Sequence, residues 1–279
     1  MKSETIIKIG KSKIENISSL PTVPGNLKRI SAVIEKPGLT LDEIGRFVAS
    51  DPALASKVLK MVNSAMYGFP GRITAVSYAV MLLGLNVVKG LLLGIAVFDI
   101  MEKTMRGLWT HSVGCAVAAR CIAEKKGVKD PEEFSIAGLL HDIGKAILVL
   151  EYQKEYEKSM EVAAEAKIPI FEAEKKVFSH GHAEVAMWLA EKWRFPRNLV
   201  EVIAYHHRPS LSHIAPLETA IIHVSDIIVR ARGVGFAGDF FVPELNTQAF
   251  DRLSLSDIDI KDILMRIDDA TDAIYNTTD

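Results

Sequence analysis

The chain has 279 residues, 49% of them apolar and 24% charged, with a formal net charge of −2. That is the make-up of an ordinary folded protein, long enough for one large domain or two modest ones. It excludes a strongly basic field that would draw nucleic acid nonspecifically, so no nucleic-acid partner is expected.

Residues 1–14 are polar and charged and read as a short lead-in. Leu27, Ile30, Val33 and Ile34 set out a helical stripe within 26–35, which Pro37-Gly38 ends. Thr40 and Glu43 have the spacing of a capping box that opens the next helix. Asp51-Pro52 opens another, with Asp as cap and Pro in the first turn, and it ends near Tyr67-Gly68-Phe69-Pro70-Gly71. Asn63-Ser64-Ala65 reads as a helix-end capping and packing feature; a partner-binding surface with Met61, Met66 and Tyr67 is the alternative.

One or two further helices are expected over 74–99. Ala79 to Phe98 is nearly all apolar and about long enough to span a bilayer. Asn86 and Lys89 near its middle make a membrane span costly. A buried helix or helix pair is the preferred reading, and no membrane partner is expected. Leu82, Leu83, Leu85 and Leu91, Leu92 and Leu93 are assigned to the core.

In the second half, helices are expected at about 106–126, 131–149, 151–167, 170–178, 182–194, 196–206 and 215–232. Pro131, Pro169, Pro196 and Pro216 sit where a helix start tolerates proline. No stretch alternates long enough to make a convincing strand. From Val234 the chain is richer in Gly, Pro and Asn, and a helical pattern then resumes with Ser254 or Ser256 as cap. The fold class is therefore all-α. The divisions are a lead-in at 1–14, an N-terminal lobe at 15–104, a His-rich lobe at 105–232, and a C-terminal extension with a helix at 233–279. No flexible linker separates the lobes, so they are expected to pack as one unit. Cys115 and Cys121 lie six apart on one predicted helix, poorly placed for a disulfide. With no secretory signal in the sequence, this favours a reducing cytoplasm.

The chemistry concentrates in the His-rich lobe, in the segments LWTHSVG, GLLHDIGKAIL, SHGHAEVA, YHHRP and HVSDIIV. They supply His111, His141, Asp142, His182, His206, His207 and Asp226, all residue types that ligate transition metals. Several lie in apolar runs, where an unpaired polar group costs free energy and a shared cation would satisfy them. His141 and Asp142 look like a buried helix end, from which both side chains can reach one centre. Asp142 has two oxygens and so can bridge two cations. Gly144 leaves room for a neighbouring helix or an anion, and Lys145 supplies a mobile positive charge suited to phosphate. For Asp226 the alternative is an ion pair with Arg230 one turn later. His180 and His223 read as hydrogen-bonded core residues, and His213 as a solvated loop residue.

HDIGK, with an upstream His, a later His, a His-His pair and a later Asp, resembles the HD superfamily of metal-dependent phosphohydrolases. The order matches its two-metal branch, which includes the HD-GYP cyclic-di-nucleotide phosphodiesterases. LPTVPGNLKRI, DPALASKVLKMVNSAMYG and ITAVSYAVMLLGLNVVKGLLL narrow the resemblance to the HDOD module of bacterial signalling proteins, over roughly 15–230. The resemblance implies a two-lobed helical HDOD fold with an HD-type metal lobe. It implies that His111, His141, Asp142 and Asp226 hold one cation, and that His182, His206 and His207 hold the other with Asp142 bridging. His182 is preferred to His180 because the family phrase is His-Ala-Glu-Val. The mixed N/O ligands favour iron or manganese, with zinc or nickel as alternatives.

Two departures bear on activity. No Gly-Tyr-Pro loop follows His207; the chain reads Arg208-Pro209-Ser210-Leu211-Ser212-His213. Some three-metal relatives have a Glu one turn before the first His, where this chain has Gly107. Many HDOD proteins lack most of the ligands, yet this chain keeps every type. The resulting expectation is a regulatory module that works mainly through a protein partner and retains a dinuclear centre. The alternative is hydrolysis of a phosphate-ester ligand or nucleotide, with Asp142 and Lys145 as catalytic residues.

Overall fold

The computed structural model describes residues 6–16, 24–64 and 66–275. The residues Leu20 to Val23 that open the first HDOD-like phrase lie outside them, as does Ala65. Helix α1 is Lys11–Glu15, α2 Gly25–Ile34, α3 Leu41–Ala49, α4 Pro52–Val62 and α5 Val76–Thr104. Then come α6 (Leu108–Lys125), α7 (Glu132–Leu140), α8 (Ile143–Glu151), α9 (Gln153–Ala166) and α10 (Ile170–Val177). The chain continues through α11 (His182–Lys192), α12 (Arg197–Tyr205), α13 (Pro216–Arg232), α14 (Thr247–Leu253) and α15 (Asp257–Tyr275). Among the described residues there is no strand, only an isolated parallel bridge between Ile7 and Phe178. The fold is all-α, as the sequence predicts.

The N-terminal lobe follows the sequence signals closely. Thr40 Oγ1 accepts from the Glu43 amide at 3.2 Å while the Glu43 carboxylate accepts from the Thr40 amide at 3.0 Å, the reciprocal capping box. Asp51 accepts from the Ala53 and Leu54 amides and so opens α4. Asn63 closes α4: its side chain donates to the Leu59 and Ile73 carbonyls and accepts from the Ile73 amide. Met66 and Tyr67 are buried, so the capping and packing reading holds there.

Helix α5 bends at Gly84, whose φ of 76° and ψ of 169° suit a residue without Cβ. The bend makes it the helix pair that the sequence allows. It is the one described helix long and apolar enough to cross a membrane, and 72% of its most apolar window is buried within the protein. Lys89, the charge in its middle, donates to the Trp193 carbonyl at 2.8 Å and the Arg194 carbonyl at 3.3 Å. An ammonium taken out of water needs such partners, and the C-terminal end of α11 presents them. This contact ties the two lobes together. One core assignment changes: Leu82 is 43% exposed, on a face shared with Tyr78 and Met81.

Three further segments differ from expectation. The lead-in is not only polar: Ile9 and Ile14 are buried, and Ile7 exchanges backbone hydrogen bonds with Val177 and Ser179. Its few apolar residues dock on the His-rich lobe, a long-range contact that local composition does not encode. The helix expected over 131–149 breaks at His141-Asp142, where Asp142 has φ −99° and ψ 8°. Asn246 caps α14, a short helix inside the Gly-, Pro- and Asn-rich segment. Of the two candidate caps for α15, Ser256 makes the reciprocal bonds with Asp259. Helix α15 then lies on α6, with Ile263 and Ile267 fully buried and Lys125 paired to Asp259 and Asp262.

Candidate metal centre

The break between α7 and α8 positions the site. A continuous helix would point consecutive residues about 100° apart. Ending α7 at His141 and restarting at Asp142 lets both side chains reach one buried volume. Helix α8 comes within touching distance of α11 at Gly144, where an added Cβ would sit 2.0 Å from the His182 carbonyl oxygen. Gly144 therefore serves close helix approach, which brings His182 to Asp142.

All seven predicted ligands converge. Asp142 lies between two groups and offers one oxygen to each. Its Oδ2 is 3.5 Å from His111 Nε2 and 3.3 Å from His141 Nε2. Its Oδ1 is 3.2 Å from His182 Nε2 and 3.8 Å from His206 Nε2. Asp226 Oδ1 is 3.2 Å from His111 Nε2. On the other side, His182 Nε2 lies 3.0 Å from His207 Nε2 and 3.4 Å from His206 Nε2. Two sets of donor atoms could each hold an ion: His111, Cys115, His141 and Asp226, and Asp142, His182, His206 and His207.

The outward nitrogens explain the inward ones. His141 Nδ1 donates to the Gly138 carbonyl and His206 Nδ1 to the Ile203 carbonyl, both at 2.7 Å. A carbonyl can only accept, so Nδ1 carries the proton and the Nε2 lone pair faces the site. His182 is held differently. Its Nδ1 is 2.7 Å from Glu174 Oε2, and the same carboxylate accepts from the His182 amide and from the Tyr156 hydroxyl. A carboxylate behind an imidazole fixes its orientation and strengthens it as a donor.

Burial pushes the His111, His206 and His207 imidazoles below their usual range. Burial opposes the charged form of His182 as well, but Glu174 and Asp142 outweigh it and carry His182 up to about 9. Against the cost of burial, His141 and Lys145 hold Asp142 well below the carboxylate range. Asp226 is likewise held low against burial by His111 and Arg230. Two ionised carboxylates beside the imidazoles of His111, His206 and His207, which burial keeps uncharged, are the donors of a cation site, and His182 would give up its proton to join them. His141 Nε2, Asp142 Oδ1 and Asp226 Oδ1 are buried without a well-formed hydrogen bond. Those atoms fit a bound metal.

Lys145 is fully buried, and its ammonium lies 2.6 Å from Asp142 Oδ2. It is therefore not a mobile charge at a mouth; it neutralises the shared carboxylate. Arg230, the alternative partner for Asp226, binds Asp239 and the Phe241 carbonyl. His223 is the hydrogen-bonded core residue expected: Nδ1 donates to the His206 carbonyl and Nε2 accepts from the Asn246 amide. His213 is exposed, and half-buried His180 rests against Trp188 beside Ser179. Glu174, Tyr156 and Cys115 escaped the sequence reading. The His111-Cys115 spacing of four, one helical turn, was the available signal for Cys115.

The model of the HDOD domain matches residues 20–209. The chain belongs to the HDOD family. An uncharacterized protein from Treponema pallidum (strain Nichols) is 30% identical over 204 residues, which are 72% of this chain and 40% of that protein. The HDOD chain thus spans well under half the length of that curated relative. An HDOD domain protein of unknown function from Geobacter sulfurreducens is 28% identical, with a TM-score of 0.66 over 92% of this chain and 93% of its own. A Shewanella amazonensis SB2B protein provisionally named a phosphohydrolase shares the fold at 19% identity, with a TM-score of 0.60 over 92% of this chain and all of its own. A Marinobacter aquaeolei VT8 protein provisionally named for signal transduction does so at 21%, with a TM-score of 0.69 over 95% of this chain and 60% of its own.

Proposed function

We propose that this HDOD protein is a cytoplasmic bacterial signalling module that acts through protein contacts and keeps a dinuclear metal centre as its core. The observation that carries the reading is closure of the site. No ligand side chain is more than 7% exposed, and the most exposed, His207, is covered by the Phe171 ring stacked at 4.2 Å. A phosphate ester has no open approach to donors held this way. The exposed stripe of Tyr78, Met81 and Leu82, spaced as one helix face, supports an interaction role. His111, His141, Asp142 and Asp226 would hold one ion and His182, His206 and His207 the other, with Asp142 between them. Iron or manganese suits these donors, and zinc or nickel follows.

Hydrolysis of a phosphate ester or nucleotide is the second reading, favoured by the complete ligand set. A metal pair in such a site supplies Lewis-acid stabilisation and activates water for attack on phosphorus. Asp142 would place both ions, and Lys145 would have to leave Asp142 to reach phosphate. The test is turnover of phosphodiester and phosphomonoester substrates by metal-loaded protein. No turnover, with partner binding unchanged in Asp142→Asn, supports the interaction reading. Turnover that is lost in Asp142→Asn and Lys145→Ala but kept in His213→Ala overturns it.

A further inference from the structure

Cys115 sits one turn after His111 on α6, fully buried, with its Sγ 3.5 Å from His111 Nε2. Two donors of one ion have a characteristic separation. With metal–sulfur near 2.3 Å and metal–nitrogen near 2.1 Å, a tetrahedral angle puts them about 3.6 Å apart. The corresponding nitrogen–oxygen separation is about 3.4 Å, against the 3.2 Å and 3.5 Å from His111 Nε2 to Asp226 and Asp142. Sγ thus lies at a ligand's spacing from His111 Nε2, and within 4.8 Å of the donor atoms of His141 and Asp226. His141 Nε2 and Asp226 Oδ1, in the same donor group, are buried without a well-formed hydrogen bond.

We propose that Cys115 is a thiolate ligand of the ion held by His111, His141 and Asp226. Binding replaces the S–H bond with a metal–sulfur bond and releases one proton to solvent. Burial and the Asp226 and Asp142 carboxylates hold the free thiol well above its usual range, so the ion itself would have to displace the proton. A thiolate biases this half of the centre towards zinc or ferrous iron over manganese. The other half has only nitrogen and oxygen donors and keeps no such bias. The inference rests on the dinuclear reading above. The alternative is a thiol that packs as a small apolar group and donates weakly to His111.

The chain has two cysteines, so Cys121→Ser leaves Cys115 as its sole thiol. The full-length Cys121→Ser protein is loaded with Co(II) and its near-ultraviolet spectrum recorded, and zinc-loaded protein is studied by X-ray absorption. A thiolate-to-cobalt charge-transfer band, with a sulfur scatterer at about 2.3 Å from zinc, is expected. Both signals should vanish in Cys115→Ser of the wild-type background. Metal bound with only nitrogen and oxygen neighbours overturns the Cys115 assignment and leaves the dinuclear centre standing. Failure to bind either metal overturns both.

Discussion

The two halves of the candidate centre share one carboxylate and differ in almost everything else. The inner half, His111, His141, Asp226 and the adjacent Cys115, is enclosed by α6, α7 and α13, and His141 is oriented by a backbone carbonyl. The outer half adds side-chain control: the Ile203 carbonyl orients His206, but Glu174 orients His182 and Phe171 covers His207. Backbone orientation comes with the fold and cannot be removed by substitution. Side-chain orientation can. Under the proposed dinuclear reading, the inner position would be set mainly by the fold, whereas affinity at the outer position would depend also on two residues of α10. The most destructive way to probe this is to remove what the halves share. Asp142→Ala leaves the Lys145 ammonium buried without its partner, which costs about 3–5 kcal/mol, and should release both ions. Chemical unfolding and elemental analysis read the two effects separately. Loss of one ion only would mean that Asp142 serves one half.

Glu174→Gln separates the halves. It keeps the shape but removes the charge behind His182 and turns one of the two acceptor oxygens into a donor. The outer affinity should fall about 10–100-fold, while the inner ion stays at one per chain, as read by metal titration. Equal weakening of both would erase the distinction.

Why Glu174 was missed is physical. Phe171-Glu172-Ala173-Glu174-Lys175-Lys176 reads as a solvated helix face, and only the packing of α10 on α9 turns Glu174 inward, to Tyr156 and His182. The break at His141-Asp142 has the same character: the local pattern runs helical straight through it, and convergence on one centre is a tertiary event. Capping signals such as Thr40-Glu43, Asp51-Pro52 and Ser256 are local and were legible. So were the ligand types, because His and Asp inside apolar runs need a partner wherever the chain goes. The docking of Ile9 and Ile14 and the exposure of Leu82 depend on which surfaces meet, and local periodicity does not carry that.

A smaller effect concerns pH in metal-stripped protein. His111, His206 and His207 have lowered folded values, so the unfolded chain binds more protons as pH falls through about 6.5, and stability declines below that point. His182, raised to about 9, has the opposite sign: its contribution is complete below about 6.5 and is lost as pH rises through 9. Urea midpoints across pH 5–10 should therefore show a maximum between these limits, and metal loading, which holds the ligands deprotonated, should steepen the acid side. The smallest effect is expected at His213, exposed and outside both halves. His213→Ala should change stability by less than about 0.5 kcal/mol and leave metal content unaltered.

The central claim is that one buried carboxylate joins two metal positions. Elemental analysis of untagged protein, purified anaerobically, tests it most directly. The account predicts close to two transition-metal ions per chain, falling to one in Glu174→Gln under mild chelation and to none in Asp142→Ala. Wild-type protein that is folded and contains no transition metal would contradict it.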